Sequence, residues 1–325
     1  MKRVVPLTLQ GYYEKQFPWN SFFSFVTCED HYDISQRVFW FVHEKFTSKR
    51  CMFRDKIALK RYILHGAPKV IGIGIIWPYL PDFHGDCEKI TFSDVDEIEG
   101  KRFLEREVIL DVDMNDYENV RIGTVCECGS ERKCCNTCWI IFIRNIAFPY
   151  VKYVLEDLWQ FKKILRVFSG RRGIHIHIQD QRVMTWTLQQ RCVFKRDCLD
   201  SMVGIPRQHQ QHLMETLFLP TFRRFFAMVS LEDCPVLLGE LKAMAPVKET
   251  LGGAKTIGAL VKYMKRFDQN WENDVAWYCL RPRFDPGFFR DLTHIVKTPW
   301  GIHKDTRRIC SVIENTDEFL PENTD

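Results

Sequence analysis

The sequence predicts an α/β fold with a helical insertion. Three runs of buried-strand character, KVIGIGIIW (69–77), EVILDV (107–112) and GIHIHI (173–178), precede a stretch from 184 to 277 that carries helical spacing and no strong strand. Residues 1–183 and 278–325 are read as the α/β domain, and 184–277 as a helical subdomain set into it. Hydrophobic residues make up 46% and charged residues 27% of the 325, an ordinary balance for a globular chain with a sizeable core. The net charge of +4 is too small for bulk attraction to nucleic acid, so any such role has to come from local groups.

From Tyr12 to about Lys49 the recurring aromatics suggest a helix pair packed on the core. Met52 to Tyr62 reads as a basic strand, and Lys69–Trp77 as a buried one whose Gly72 and Gly74 mark the close approach of a backbone or ligand. Pro78 to Gly100 is loop-like and acidic. No apolar run approaches the ~20 residues that span a bilayer. The amino terminus lacks a leader's apolar core and cleavage site, so a soluble intracellular protein is expected.

The central stretch is EVILDVDMND, Glu107 to Asp116. Strand geometry puts Val108, Leu110 and Val112 on one side and Asp111 and Asp113 on the other, roughly 7 Å apart at Cα. From that span two carboxylates can converge on divalent cations about 3.5–4 Å apart, and a cation removes the repulsion between them. A strand end entering solvent is the plainer alternative.

Next comes VCECGSERKCCNTCW, which holds five of the 13 cysteines. An odd count and this clustering favour reduced thiols with one metal site over a disulfide framework. Cys126, Cys128, Cys135 and Cys138 form the expected tetrahedral zinc set, with Cys134 as the substitute for Cys135. Four thiolates leave no open position, so the zinc would be structural.

Val151 to Leu165 has amphipathic helical spacing and leads into RVFSGRRGIHIHI. Here a strand ends at Phe168, a Ser-Gly turn follows, Arg171 and Arg172 project, and His175 and His177 share one face of the next strand. Exposed amides plus Ser169 and the arginines suit a triphosphate, and a basic hairpin is the alternative. TLGGAKT (250–256) fails the phosphate-loop spacing. In the last informative stretch Asp285 stands in a Pro-flanked turn, followed by Lys297, Trp300 and His303.

Taken in order, ILDVDMNDY, the cysteine cluster ending in CW, FSGRRGIH, and RFDPGFF continuing to KTPWGIH resemble the small catalytic subunit of eukaryotic DNA primase, of the archaeo-eukaryotic primase family. The resemblance runs from about Tyr12 to His303 and implies a primase fold, with a mixed β-sheet core and a zinc motif at 126–138. It implies that Asp111, Asp113 and Asp285 bind two Mg²⁺ or Mn²⁺ ions. Ser169, Arg171, Arg172 and His175 would grip nucleotide phosphates, assisted by Lys297 and His303, with Arg61 nearby. The implied activity is synthesis of short RNA primers from NTPs on single-stranded DNA. The implied partners are a large primase subunit and the replicative DNA polymerase α complex, and the implied location is the nucleus. Cys51, Gly72 and His177 depart from the family pattern. Two rival readings are a repair or translesion primase-polymerase and a catalytically weak, zinc-stapled binding subunit.

Overall fold

The computed structural model describes residues 8–77, 80–90, 104–117, 136–226, 229–230, 232, 235–244, 254–303 and 306–314. These fall in two compact units. One is drawn from Met1–Asp111, Lys162–Cys192 and Asp285–Glu314, the other from Val112–Phe161, Val193–Phe284 and Asn315–Asp325.

The first unit opens with helices α1 (Leu9–Lys15) and α2 (Trp19–Val26). Strands β1 (Arg37–Val42) and β2 (Thr47–Phe53) follow as an antiparallel pair, where the sequence had suggested continued helix. The reason lies in RVFWFV, a run of β-branched and aromatic side chains that fits a pleated surface better than a helix. Beyond β2 the basic segment is a helix, α3 (Lys56–Gly66), not a strand. Asp55 caps it by accepting the Ala58 N–H at 2.7 Å, a stop-and-start signal that outweighs the scattered apolar residues.

Strand β3 (Val70–Ile76) is buried throughout, as its apolar run requires. With β4 (Cys87–Lys89) and β8 (Val296–Lys297) it completes a five-stranded sheet of order β4-β2-β1-β3-β8. Gly72 does mark a close approach: a Cβ there would lie 2.6 Å from Ile295 Cγ2 and 2.8 Å from the Trp40 ring. The missing side chain thus admits the segment that carries Lys297, whose register partner is Gly72.

The second sheet has order β5-β7-β6-β9, from β5 (Val108–Val112), β6 (Ile164–Phe168), β7 (Ile174–Ile178) and β9 (Ser311–Val312). Leu165 lies in β6, so the helix expected over 151–165 ends earlier, at Leu158, and Gln160 follows with φ +55°. Val38, Met52, Ile75, Trp77, Leu104 and Leu292 form one buried apolar cluster of this unit.

Charge is buried beside that core. Glu107 Oε2 lies 3.0 Å from Arg37 Nη1, and both side chains are almost wholly shielded from solvent. Arg37 also donates to the Val26 and Gly74 carbonyls at 2.9 Å each. Arg191 donates to the Glu107 carbonyl at 3.0 Å and to the Arg106 carbonyl at 2.6 Å, so the entry to β5 is held from two sides. Burial alone would raise the Glu107 pKa, but Arg37 and Arg106 outweigh it and hold the carboxyl at about 2. His177, facing this carboxyl from β7, is pushed down to about 4 by burial and stays neutral.

The second unit is helical. One helical run from Asn136 to Leu158 passes through wide π turns at Ile143–Ala147 and Tyr153–Leu158. Further helices include Arg207–Leu213, Leu219–Phe225, Pro235–Met244, Ile257–Met264 and Trp271–Leu280. Arg223 and Lys265 both reach Glu272, at 2.7 and 2.8 Å.

Glu107 and His177 both bind protons more readily in the unfolded chain, so the sign is the same for each. Stability should be whole above about pH 6.5, fall as pH drops through the ordinary His177 value of 6.5 towards 4, and fall again below 4.5 as Glu107 titrates towards 2. Urea midpoints across this range should drop less steeply between pH 6.5 and 4 in His177→Phe, and an unchanged slope would contradict the assignment.

Candidate functional site

Asp111 ends the apolar run of β5, and Asp285 reaches it from far along the chain. The Asp285 N–H donates to the Asp111 carbonyl at 3.1 Å, so two residues 174 positions apart in sequence meet at their backbones. The Pro286-Gly287 turn then orients the second carboxylate, because Asp285 Oδ1 accepts the Gly287 N–H at 2.8 Å. Asp113 leaves the strand one residue past its end and belongs to the second unit.

His175 on β7 brings Nε2 to 3.6 Å from Asp111 Oδ1. Burial, with His177, Lys297 and His303 adding to it, pushes the His175 pKa down to about 3. The ring is therefore neutral at working pH, and the negative charge of Asp111 remains available to a cation. Lys297 and His303 act on this ring from β8 and the segment after it.

Between β6 and β7 runs the turn Ser169–Gly173, and its ends are tied reciprocally. The Ser169 N–H donates to the Gly173 carbonyl at 2.9 Å, while the Gly173 N–H donates to Ser169 Oγ at 3.0 Å. A Cβ on Gly173 would lie 3.1 Å from Ser169 Oγ and 3.6 Å from Asp111 Oδ1, which shows how closely this turn borders the carboxylate. Arg171 is exposed and Arg172 half-buried in this turn. Gly170 adopts φ +87°, and a Cβ there would meet His303 Cβ at 2.8 Å. Only glycine suits that conformation and that space.

The structure thus gathers Asp111, Ser169, His175, Asp285, Lys297 and His303. Arg61 is exposed on α3 and paired with Asp86. Cys126, Cys128, Cys134 and Cys135 lie outside the described residues, and Cys138 falls in the helix Asn136–Phe142. Among the described residues no group of three or more His, Cys, Asp or Glu side chains is drawn together as a metal cage. The donor chemistry still fits a hard cation: carboxylate oxygens at the end of β5 and in the adjoining turn, and a neutral rather than charged histidine beside them. The buried support at Arg37, Glu107 and Arg191 was not legible in the sequence, because charges flanking an apolar strand look like solvent-facing ends. Gly173 carried a signal, the conformational freedom of a turn residue next to a strand.

Carboxylates on adjoining sheet and turn, next to a glycine-flanked basic turn, are donors with the chemistry to take a divalent cation and a phosphate group. A family model described as the DNA primase small subunit matches residues 110–314. The DNA primase small subunit of Schizosaccharomyces pombe is 24% identical over 355 aligned positions, covering 97% of this chain and 74% of that protein. That of Saccharomyces cerevisiae is also 24% identical, over 67% of this chain and 60% of the yeast protein, and that of Drosophila melanogaster is 23% identical over 93% and 75%. The chain belongs to the DNA primase small-subunit family, a family of nucleotidyltransferase enzymes.

Gly170→Ala should cost about 1 to 3 kcal/mol of stability, since it forces a left-handed backbone and a Cβ clash at once. Urea denaturation checks this, and an unchanged midpoint would show that the turn relaxes freely.

Proposed function

We propose that the chain synthesises short RNA primers from NTPs on single-stranded DNA by metal-assisted nucleotidyl transfer. The observation that carries this reading is the meeting of Asp111 and Asp285, beside the neutral His175 and the Ser169–Gly173 turn. Asp111, Asp113 and Asp285 would hold two Mg²⁺ or Mn²⁺ ions. Such ions neutralise triphosphate charge, lower the pKa of the attacking 3′-hydroxyl and stabilise the departing pyrophosphate.

The remaining roles belong to this chain's own side chains. Ser169 and the amides of its turn would orient the phosphates, while Arg171, Arg172 and Lys297 add positive charge. His303 would donate to a phosphate oxygen. His175, held neutral, would not compete with a cation for Asp111. Phosphoryl transfer depends on in-line positioning and charge neutralisation, and these residues supply both without a covalent nucleophile. Arg61 rests on the resemblance alone.

A structural zinc at Cys126, Cys128, Cys135 (or Cys134) and Cys138 belongs to the same proposal. So do a large primase subunit and the polymerase α complex as partners, and a nuclear location. Among the described residues no helix is long and apolar enough to cross a membrane.

Primer synthesis on poly-dT with Mn²⁺ and ATP tests the reading. Wild type should make RNA, and Asp111→Ala, which removes a ligand, should lower the rate by at least a hundredfold, about 3 kcal/mol of barrier. Equal rates would refute the carboxylate assignment. Efficient use of dATP would favour a repair-type polymerase. Metal analysis of the same preparations should find one zinc per chain.

A further inference from the structure

The segment after β8 returns to the Ser169–Gly173 turn and grips it through groups that the primase reading does not use. Ser169 and Gly170 each present a carbonyl to this segment. Cys310 Sγ donates to the Ser169 carbonyl at 3.1 Å, and Thr306 Oγ1 donates to the Gly170 carbonyl at 2.7 Å. Thr306 faces the other way as well: its backbone N–H donates to His303 Nδ1 at 3.3 Å. Its hydroxyl is also held, accepting the Arg308 N–H at 3.3 Å. The surrounding turn is closed by His303 N–H to the Arg308 carbonyl at 2.8 Å and Arg307 N–H to the His303 carbonyl at 2.9 Å.

We propose that Thr306 is a positioning residue for nucleotide binding, which locks the Ser169–Gly173 turn to His303 so that both meet the triphosphate in one fixed geometry. The inference rests on the reading of that turn as the phosphate-binding element. Two physical effects combine. With Nδ1 accepting the Thr306 N–H, the ring N–H of His303 is the one on Nε2, where it can be offered to a phosphate oxygen. The hydroxyl bond fixes Gly170, the turn's most conformationally free residue, at the point where its backbone passes closest to His303. Without the hydroxyl, the turn and the histidine would still exist but would be ordered at the expense of binding.

Thr306→Val keeps the side-chain shape and removes the hydroxyl, while Thr306→Ser keeps the hydroxyl. Steady-state primer extension should show KM for NTP raised roughly three- to tenfold in the valine variant, the range for one lost hydrogen bond. The serine variant should restore it, and KM for the DNA template should stay unchanged in both. A thermal melt separates a merely structural role, which would lower the melting temperature and the active fraction while leaving KM for NTP alone. That pattern, or a serine variant as impaired as valine, would overturn the inference. Equilibrium titration of wild type with an NTP in Mn²⁺ separates the two levels: no binding by wild type refutes the phosphate-turn reading itself, whereas wild-type binding that Thr306→Val leaves unchanged refutes only the role of Thr306.

Discussion

Burying Glu107 constrains the rest of this fold. A carboxylate with no solvent costs several kcal/mol unless cations and donors surround it, and here Arg37 supplies the charge. That guanidinium in turn needs acceptors, which it finds in the carbonyls of α2's last residue and of Gly74 in β3. A salt bridge of this kind adds little net stability against an apolar substitute, but it specifies register. Sliding β5 by one residue would withdraw Glu107 from Arg37 and turn Asp111 towards the apolar side. The position of the Asp111 carboxylate is therefore fixed from the opposite end of its own strand.

The site itself is assembled from long-range contacts rather than from one motif. Asp111 comes from β5, His175 from β7, Asp285 from a turn, and Lys297 and His303 from β8 and beyond. Glycines make the assembly possible at two points, where Gly72 admits the segment carrying Lys297 and Gly170 lets the Ser169–Gly173 turn lie against His303. Both are positions where a Cβ would come closer than 3.0 Å to a neighbour. The neutral state of His175 follows first from its burial, to which His177, Lys297 and His303 add.

Much of this was legible in the amino-acid order, and the physical reason is consistent. β3, β5 and β7 are apolar runs buried on both faces, the strongest signal a strand gives, and Asp111 and His175 sit near the ends of two of them. β1 and β2 were misread because Phe39, Trp40 and Phe41 satisfy helical and strand spacing equally, and sheet partners decided the matter. α3 was hidden by its charges, although Asp55 carried a usable cap signal. The helix expected to reach Leu165 stops at Leu158 because residues 164–168 pair with β7, a tertiary preference that local periodicity does not contain. Thr306 gave no signal, since its importance comes from a carbonyl 136 residues away.

If Asp111 and Asp285 act together on one cation cluster, removing either carboxylate weakens Mn²⁺ binding. Electron paramagnetic resonance titration of Mn²⁺ with ATP present, for wild type, Asp111→Asn and Asp285→Asn, tests it most directly. The account predicts tight Mn²⁺ binding by wild type and a loss of at least about tenfold in both variants, about 1.4 kcal/mol each. Wild-type Mn²⁺ affinity in Asp285→Asn, with the loss confined to Asp111→Asn, would contradict it.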